Sequence, residues 1–146
     1  MKALSIRQPW AHRILHEGKD IENRSWPTQY RGDFLIHAGI SPDGDVTGAM
    51  PRGGIVGIAS ITDCVRESDS RWFNGPYGFV LAHARPLPFI PMRGQLGFFT
   101  VDLRDAAVDL WRRDEISEGP ASRMLGMSRL DFRALCDAEL EAARDE

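Results

Sequence analysis

The chain has 146 residues, of which 42% are hydrophobic and 27% charged, and its formal net charge is −3. This length fits one domain with a real core, and the composition is typical of a globular protein, not of a disordered one. No apolar run approaches the ~20 residues that span a bilayer, and Arg7 and Gln8 interrupt the apolar start, so we expect no signal peptide and no membrane association. The two cysteines, Cys64 and Cys136, form no CxxC pair, which favours a cytoplasmic protein with reduced thiols over a disulfide scaffold.

The first elements in chain order are a strand and a helix. Residues 3–6, "ALSI", predict the strand. Pro9 suits the first turn of a helix, and apolar residues at helical spacing follow it in "PWAHRILHEG". Gly18 predicts the end of this helix, because glycine accepts the left-handed conformation found there. Lys19 should therefore emerge directly after the helix, and an extended segment should follow until Pro27.

Apolar, β-branched runs predict four further strands, separated by loops rich in glycine, proline and aspartate. We expect them at 31–39, 55–65, 77–88 and, after a turn, within 91–103, with a long loop at 40–54. Gly57 predicts a bulge or a close packing contact, and Pro86 and Pro88 predict the end of the strand at 77–88. Together these elements predict an α+β fold, a small β-barrel of about five or six strands flanked by helices.

The pattern changes after residue 104, where "DAAVDLWRRDE" and "SRLDFRALCDAELEAARDE" have helical periodicity. Ser128 and Asp131 predict a capped helix start. The predicted apolar stripe of this helix consists of Leu130, Ala134, Leu135 and Ala138. Residues 105–146 carry 6 Lys+Arg against 11 Asp+Glu, whereas residues 1–104 carry 12 against 10. We expect an acidic helical extension that packs on the barrel or on a protein partner.

The segment "GKDIENRSW", residues 18–26, holds the densest group of charges in the chain. In an extended segment side chains alternate between faces, so Glu22, Arg24 and Trp26 should share one face, with Lys19 leaning toward it. Such a group is either an ordinary ion-pair network or a functional site.

As a functional site, this group has two possible mechanisms. Arg7 and Arg24 would lower the pKa of Lys19 and make it a base or nucleophile, whereas Glu22 and Asp63 would raise that pKa. Alternatively, Lys19 and Arg24 stay charged and clamp a phosphate or carbonyl oxygen.

The stretch "SIRQPWAHRILHEGKDIENRSW…RGDFLIHA" resembles the ASCH domain family, as does "GPYGFVLAHARPLPFIPMRGQLGFF". The family signature is Gly-x-Lys-x-x-(Glu or Thr)-x-Arg, where x is any residue. Lys19, Glu22 and Arg24 match its Lys-x-x-Glu-x-Arg core, whereas Gly18 directly precedes the lysine without the intervening residue. The resemblance covers about residues 1–104 and implies a PUA-like β-barrel.

The resemblance also implies a cleft between the barrel and the first helix, lined by Lys19, Glu22 and Arg24. PUA-like folds commonly bind RNA, and some ASCH proteins are described as nucleases of single-stranded RNA. Others deacylate a modified cytidine with a lysine, a threonine and a glutamate. Lys19 matches that lysine, but Glu22 occupies the threonine position, and Asp63 is the candidate for the acid. This departure favours RNA binding or cleavage over amidohydrolase activity.

We therefore expect an RNA-directed hydrolase, a metal-independent or weakly metal-dependent ribonuclease of single strands that needs no cofactor. The alternatives are an amidohydrolase of N4-acylated cytidine, a non-catalytic module that binds RNA or a modified nucleoside, and an interaction protein that docks through its acidic tail. The expected catalytic residues are Lys19, Glu22 and Asp63, and the expected substrate-binding residues are Arg7, Arg24, Trp26, Arg31 and His37.

Several of the remaining candidates have plainer explanations. His37 could carry a proton, but a hydrogen-bonded histidine within a strand is the commoner case. His12 and His16 lie one helical turn apart without a third metal ligand, which favours a solvent-facing pair. Among the loop aromatics, Trp72 and Phe73 are the best candidates for stacking on a base.

Overall fold

A computed structural model describes residues 1–46, Gly48 and residues 50–145 of the chain. Thr47 and Ala49, in the predicted loop 40–54, lie outside the described residues, as does Glu146. The chain divides into two compact units, Met1–Val101 and Asp102–Glu146. The domain boundary expected at residue 104 stays a prediction. None of the helices described in the structure is both long and apolar enough to cross a bilayer.

The first unit contains one helix and six strands in its described residues: β1 (Lys2–Ile6), α1 (Trp10–His16), β2 (Ile21–Arg24), β3 (Gly32–Ala38), β4 (Gly54–Val65), β5 (Tyr77–Pro91) and β6 (Phe98–Thr100). The strands form one sheet in the order β2-β5-β4-β3-β1-β6. β1 runs parallel to β3, and the other neighbours are antiparallel. The predicted α+β fold is confirmed.

The sheet curls into a half-barrel. β2 and β6 are its two edges, yet the ring of Trp26, just after β2, lies 5.7 Å from the ring of Phe98 in β6. Phe79 of β5 stacks on Phe98 at 6.2 Å. Arg24 of β2 also reaches across, and its Nη2 donates to the backbone oxygen of Ser5 in β1 at 2.7 Å. Edge-to-face and stacked aromatic contacts thus close the space between the two edges.

Helix α1 packs on the sheet through buried Ala11 and Ile14. The predicted irregularity at Gly57 is confirmed, because the β4–β5 register shifts beside it. A Cβ atom added at Gly57 would overlap the side chain of Leu15 from α1 and the carbonyl oxygen of Arg85. The glycine therefore allows the helix to lie close to the sheet.

The predicted strand end at Pro86 and Pro88 is wrong, since β5 continues to Pro91. Strand β2 covers β5 only along residues 77–80, and beyond that point β5 has β4 on one side alone. Proline cannot donate a ladder hydrogen bond, but an edge strand tolerates it. The sequence does not reveal which part of a strand is an edge.

The second unit contains three helices in its described residues: α2 (Leu103–Arg112), α3 (Glu118–Met124) and α4 (Arg129–Arg144). The helical tail is confirmed, but α3 was not predicted. Pro120 lies in the first turn of α3, where proline is tolerated because its missing N–H needs no partner. Arg133 of α4 holds Glu118 of α3 through contacts of 2.7 to 2.9 Å.

The apolar stripe predicted for α4 is wrong. The structure buries Phe132 and Cys136, which lie one turn apart, whereas Leu130 is 78% exposed. α4 has apolar residues on more than one face, and the large aromatic ring lies on the buried one. The expectation that the tail binds a protein partner stays a prediction.

The capped start of α4 allows a test of the second unit. Ser128 Oγ accepts from the backbone N–H of Asp131 at 3.1 Å and donates to its carboxylate at 2.7 Å. Ser128→Ala should therefore lower the free energy of unfolding by about 1 kcal/mol, the usual cost of a lost N-cap. Ser117, at the start of α3, makes no side-chain capping bond, so Ser117→Ala is the matched control. Urea unfolding of both variants checks this, and equal losses would contradict it.

Candidate active site

Lys19 is positioned by the end of α1. Gly18 has φ +73°, and the backbone N–H of Lys19 donates to the carbonyl oxygen of Arg13 at 3.1 Å, which closes the end of the helix. The turn directs the Lys19 side chain inward, where it is only 5% exposed. Its Nζ donates to the backbone oxygen of Ile21 and lies 5.9 Å from the ring centroid of Trp10. The predicted helix end is confirmed.

Strand β2 brings two further charges to Lys19. Glu22 and Arg24 are two positions apart in the strand, so their side chains lie on the same face. Glu22 Oε2 lies 3.7 Å from Lys19 Nζ, and Glu22 Oε1 lies 3.4 Å from Arg24 Nε. We call these three residues the charged triad. The ammonium, carboxylate and guanidinium thus converge.

In the charged triad Lys19 and Glu22 are buried and Arg24 is half-buried, but the three are not fully hydrogen-bonded. Among the described residues, the buried atoms Glu22 Oε2 and Arg24 Nε have no hydrogen-bond partner. Burial raises the pKa of Glu22 above its ordinary value of 4.5, although Lys19 and Arg24 oppose this. Burial also lowers the pKa of Lys19 below its ordinary 10.5, with Glu22 opposing and Arg24 adding to the shift. Both shifts move the two groups toward the range in which proton transfer is efficient.

The charged triad lies in the wall of a cavity of about 650 Å³, the size of a small-molecule site. We call it the first cavity. Three tryptophans line it together with the triad, and each has a cation near its ring: Lys19 and Arg13 near Trp10, Arg24 near Trp26, and Arg71 near Trp72. Its remaining lining residues are Ser5, Ile6, Arg7, Asn23, Ser25, Asp43 and Asn74.

The first cavity is electropositive. Its lining contains five cationic side chains, Arg7, Arg13, Lys19, Arg24 and Arg71, and two carboxylates, Glu22 and Asp43. The whole chain has a net charge of −3, so the positive charge is local. A concave surface of one charge sign concentrates ligands of the opposite sign. The first cavity is therefore suited to an anionic ligand with flat, stackable groups.

One wall of the first cavity is a loop held by Asn23. Its Nδ2 donates to the backbone oxygen of Trp72 at 2.9 Å, and its Oδ1 accepts from the backbone N–H groups of Asn74 and Gly75 at 2.8 and 3.1 Å. Asn23 and Trp72 are 49 residues apart in the chain. Sequence reasoning missed Asn23, and only the β2–β5 pairing could have indicated this contact.

The structure brings Arg7 and Trp26 to the charged triad, as the sequence suggested. Arg7 is exposed and lines the first cavity. Trp26 lines it too, and its ring edges pack on Phe79 and Phe98 at 5.3 and 5.7 Å. Trp26 is thus both a part of the barrel core and a wall of the cavity.

Asp63 and Arg31 lie elsewhere. Asp63 is on β4, its side chain is 61% exposed, and its Oδ1 forms an ion pair with Arg31 Nη2 at 3.7 Å. Neither residue lines the first cavity. The expected meeting of Asp63 with Lys19 does not occur, because β5 lies between β4 and β2. The structure gives no geometric support for a catalytic role of Asp63 or a substrate contact of Arg31.

His37 is a fully engaged histidine of β3. It is 2% exposed, its Nε2 lies 2.8 Å from the backbone oxygen of Met92, and its Nδ1 lies 2.9 Å from Ser5 Oγ. A carbonyl oxygen only accepts, so Nε2 donates to Met92, while Nδ1 shares a hydrogen bond with the Ser5 hydroxyl. His37 therefore orders its surroundings, as the plainer explanation predicted.

Two aromatic residues behave differently from expectation. Phe73 lies against Gly78 and does not line the first cavity, unlike its neighbour Trp72. Trp10 was not among the favoured candidates for base stacking, yet it forms a wall of the cavity, where its Nε1 donates to Asp43 at 2.8 Å. The available signal was its position three residues after Arg7, which also lines the cavity.

Comparison with known proteins identifies a family whose model matches this chain. A family model described as the ASCH domain matches residues 4–88, more than half of the chain. The match contains the complete lining of the first cavity. No curated protein matches the chain.

Proposed function

Because the chain belongs to the ASCH domain family, which is associated with RNA binding and possible hydrolase activity, we propose that it is a ribonuclease of single-stranded RNA. The reaction takes place in the first cavity. The observation that carries this proposal is the charged triad in the wall of that cavity, with Lys19, Glu22 and Arg24 joined by distances of 3.7 and 3.4 Å.

The triad supplies the groups that RNA cleavage requires. Glu22 removes the proton from a 2′-hydroxyl, because its raised pKa makes it a stronger base than an ordinary carboxylate. Arg24 stabilises the charge that develops on the phosphate. Lys19, whose pKa is lowered, gives a proton to the departing 5′-oxygen. The products are a 2′,3′-cyclic phosphate and a 5′-hydroxyl.

The tryptophans of the first cavity hold the bases. Trp10, Trp26 and Trp72 offer stacking surfaces of a kind worth about 1–3 kcal/mol per base in other proteins. Such surfaces accept any base, so we expect weak sequence preference. Single strands fit this arrangement because their bases are free to stack on aromatic side chains.

The amidohydrolase hypothesis receives less support. Lys19 lies where that chemistry needs a lysine, but a carboxylate, Glu22, occupies the place of the hydroxyl nucleophile. The candidate acid, Asp63, is outside the first cavity. A binding module without catalysis would use the same cavity and is distinguished by experiment.

The test is incubation of the purified protein with an end-labelled single-stranded RNA, with and without EDTA. We expect fragments with 2′,3′-cyclic phosphate ends in both samples, and none from a DNA strand of the same sequence, which lacks the 2′-hydroxyl. No cluster of three or more metal-ligating side chains occurs among the described residues, and the EDTA arm tests metal dependence directly. Binding of RNA without fragments would support the binding module instead.

A further inference from the structure

A second cavity, of about 840 Å³, adjoins the first. We call it the second cavity. It shares three lining residues with the first, Ser5, Arg7 and Arg24. Its other lining residues are His37, Gly39, Ile40, Ser41, Gly53, Met92, Arg93, Gly94, Gln95, Leu96 and Gly97. The two cavities therefore adjoin at a boundary that contains two guanidinium groups.

The second cavity is positively charged. Arg93 joins the shared Arg7 and Arg24, and its lining contains no aspartate or glutamate. Among the described residues, Arg7 and Arg93 form no ion pair with a carboxylate. Their positive charges are thus available to an anionic ligand.

The floor of the second cavity is ordered. Ser5, His37 and Met92 form a chain of hydrogen bonds of 2.9 and 2.8 Å. Gly94 lies directly on this floor, because an added Cβ would come within 2.7 Å of His37 Cε1 and would overlap Ser5 Oγ. The segment 92–97 is thereby fixed against β1 and β3, with Leu96 fully exposed at the cavity edge.

We propose that the second cavity binds the nucleotide next to the one held in the first cavity. Arg7 and Arg24 hold the phosphate that joins the two nucleotides, Arg93 contacts the following phosphate, and Leu96 offers apolar surface to the second base. The substrate is then an RNA strand of two or more nucleotides and not a free nucleoside. This inference rests on the proposed function, since it extends the same site.

The test is the affinity for 2′-O-methyl RNA, which cannot be cleaved, measured by fluorescence anisotropy. Arg93→Ala should weaken binding of a labelled oligonucleotide about tenfold, the typical effect of one charged hydrogen bond. It should also reduce the slope of log affinity against log salt by about 0.7, the value for one phosphate contact on a single strand. Binding of a mononucleotide, measured by competition, should not change.

The matched control is Arg85→Ala, which removes an exposed arginine that lines neither cavity. If Arg93→Ala and Arg85→Ala bind the oligonucleotide equally well, the second cavity is not a subsite, while the proposed function stands. An equal loss of mononucleotide binding in Arg93→Ala would also overturn the inference. If the wild-type protein binds no single-stranded RNA, the proposed function fails and the inference fails with it.

Discussion

Lys19→Met should lower the rate of RNA cleavage by about 100- to 10,000-fold, the range for loss of the general acid that protonates the departing 5′-oxygen. Methionine keeps the length and apolar stem of lysine but removes the ammonium that lies 3.7 Å from Glu22. The first cavity and its tryptophans remain, so the affinity for uncleavable RNA should fall much less than the rate. Single-turnover cleavage and anisotropy measure the two quantities separately.

The chain offers a close control for this substitution. Its two lysines are Lys2 and Lys19, and Lys2 is exposed on β1, 5.5 Å from the ring of Tyr30. Lys2→Met makes the same chemical change outside the first cavity, and we expect its cleavage rate to equal that of the wild type. Equal rates for Lys19→Met and Lys2→Met would show that Lys19 takes no part in the reaction.

Glu22→Gln should lower the cleavage rate by about 100- to 10,000-fold, the range for loss of a general base. Glutamine has the shape of glutamate but cannot accept the 2′-hydroxyl proton. In the wild type the rate should rise with pH through the pKa of Glu22, which lies above 4.5 because the group is buried. The variant should lack this rise. A pH–rate profile of both proteins measures it, and an unchanged acidic limb in Glu22→Gln would assign the base elsewhere.

The pH dependence of protein stability gives an independent measure of the raised pKa of Glu22. The pKa of Glu22 is raised in the folded protein above its ordinary 4.5, so the folded state binds this proton more tightly than the unfolded state. The stability that results from this tighter proton binding is fully present below pH 4.5 and is lost as the pH rises through the folded-state pKa of Glu22. In this interval the wild type should therefore lose stability relative to Glu22→Gln, as urea unfolding at several pH values would show.

The sequence sufficed for the elements whose signals are local. Gly18 marked the end of α1, and the alternation of Glu22 and Arg24 placed both side chains on one face of β2. The curl of the sheet was inferred only from the family resemblance and the number of strands. It depends on contacts such as Trp26 with Phe98, which lie on opposite edges of the sheet.

The candidate site was predictable where its residues are neighbours in the chain. Lys19, Glu22 and Arg24 lie within six positions, so one turn and one strand bring them together. Asp63 was expected near Lys19, but its position depends on the strand order and on the register shifts between β4 and β5, which the sequence does not reveal. Trp72 and Arg71 line the first cavity because Asn23 anchors their loop, which is distant from Asn23 in sequence.

The most direct test of the RNA site is an NMR titration that follows the four tryptophan indole N–H signals. Trp10, Trp26 and Trp72 line the first cavity, whereas Trp111 lies in α2. With uncleavable single-stranded RNA, the three cavity signals should shift and reach saturation together, and the Trp111 signal should stay in place. A titration in which Trp111 alone shifts, or in which the three cavity signals do not move, would contradict RNA binding in the first cavity.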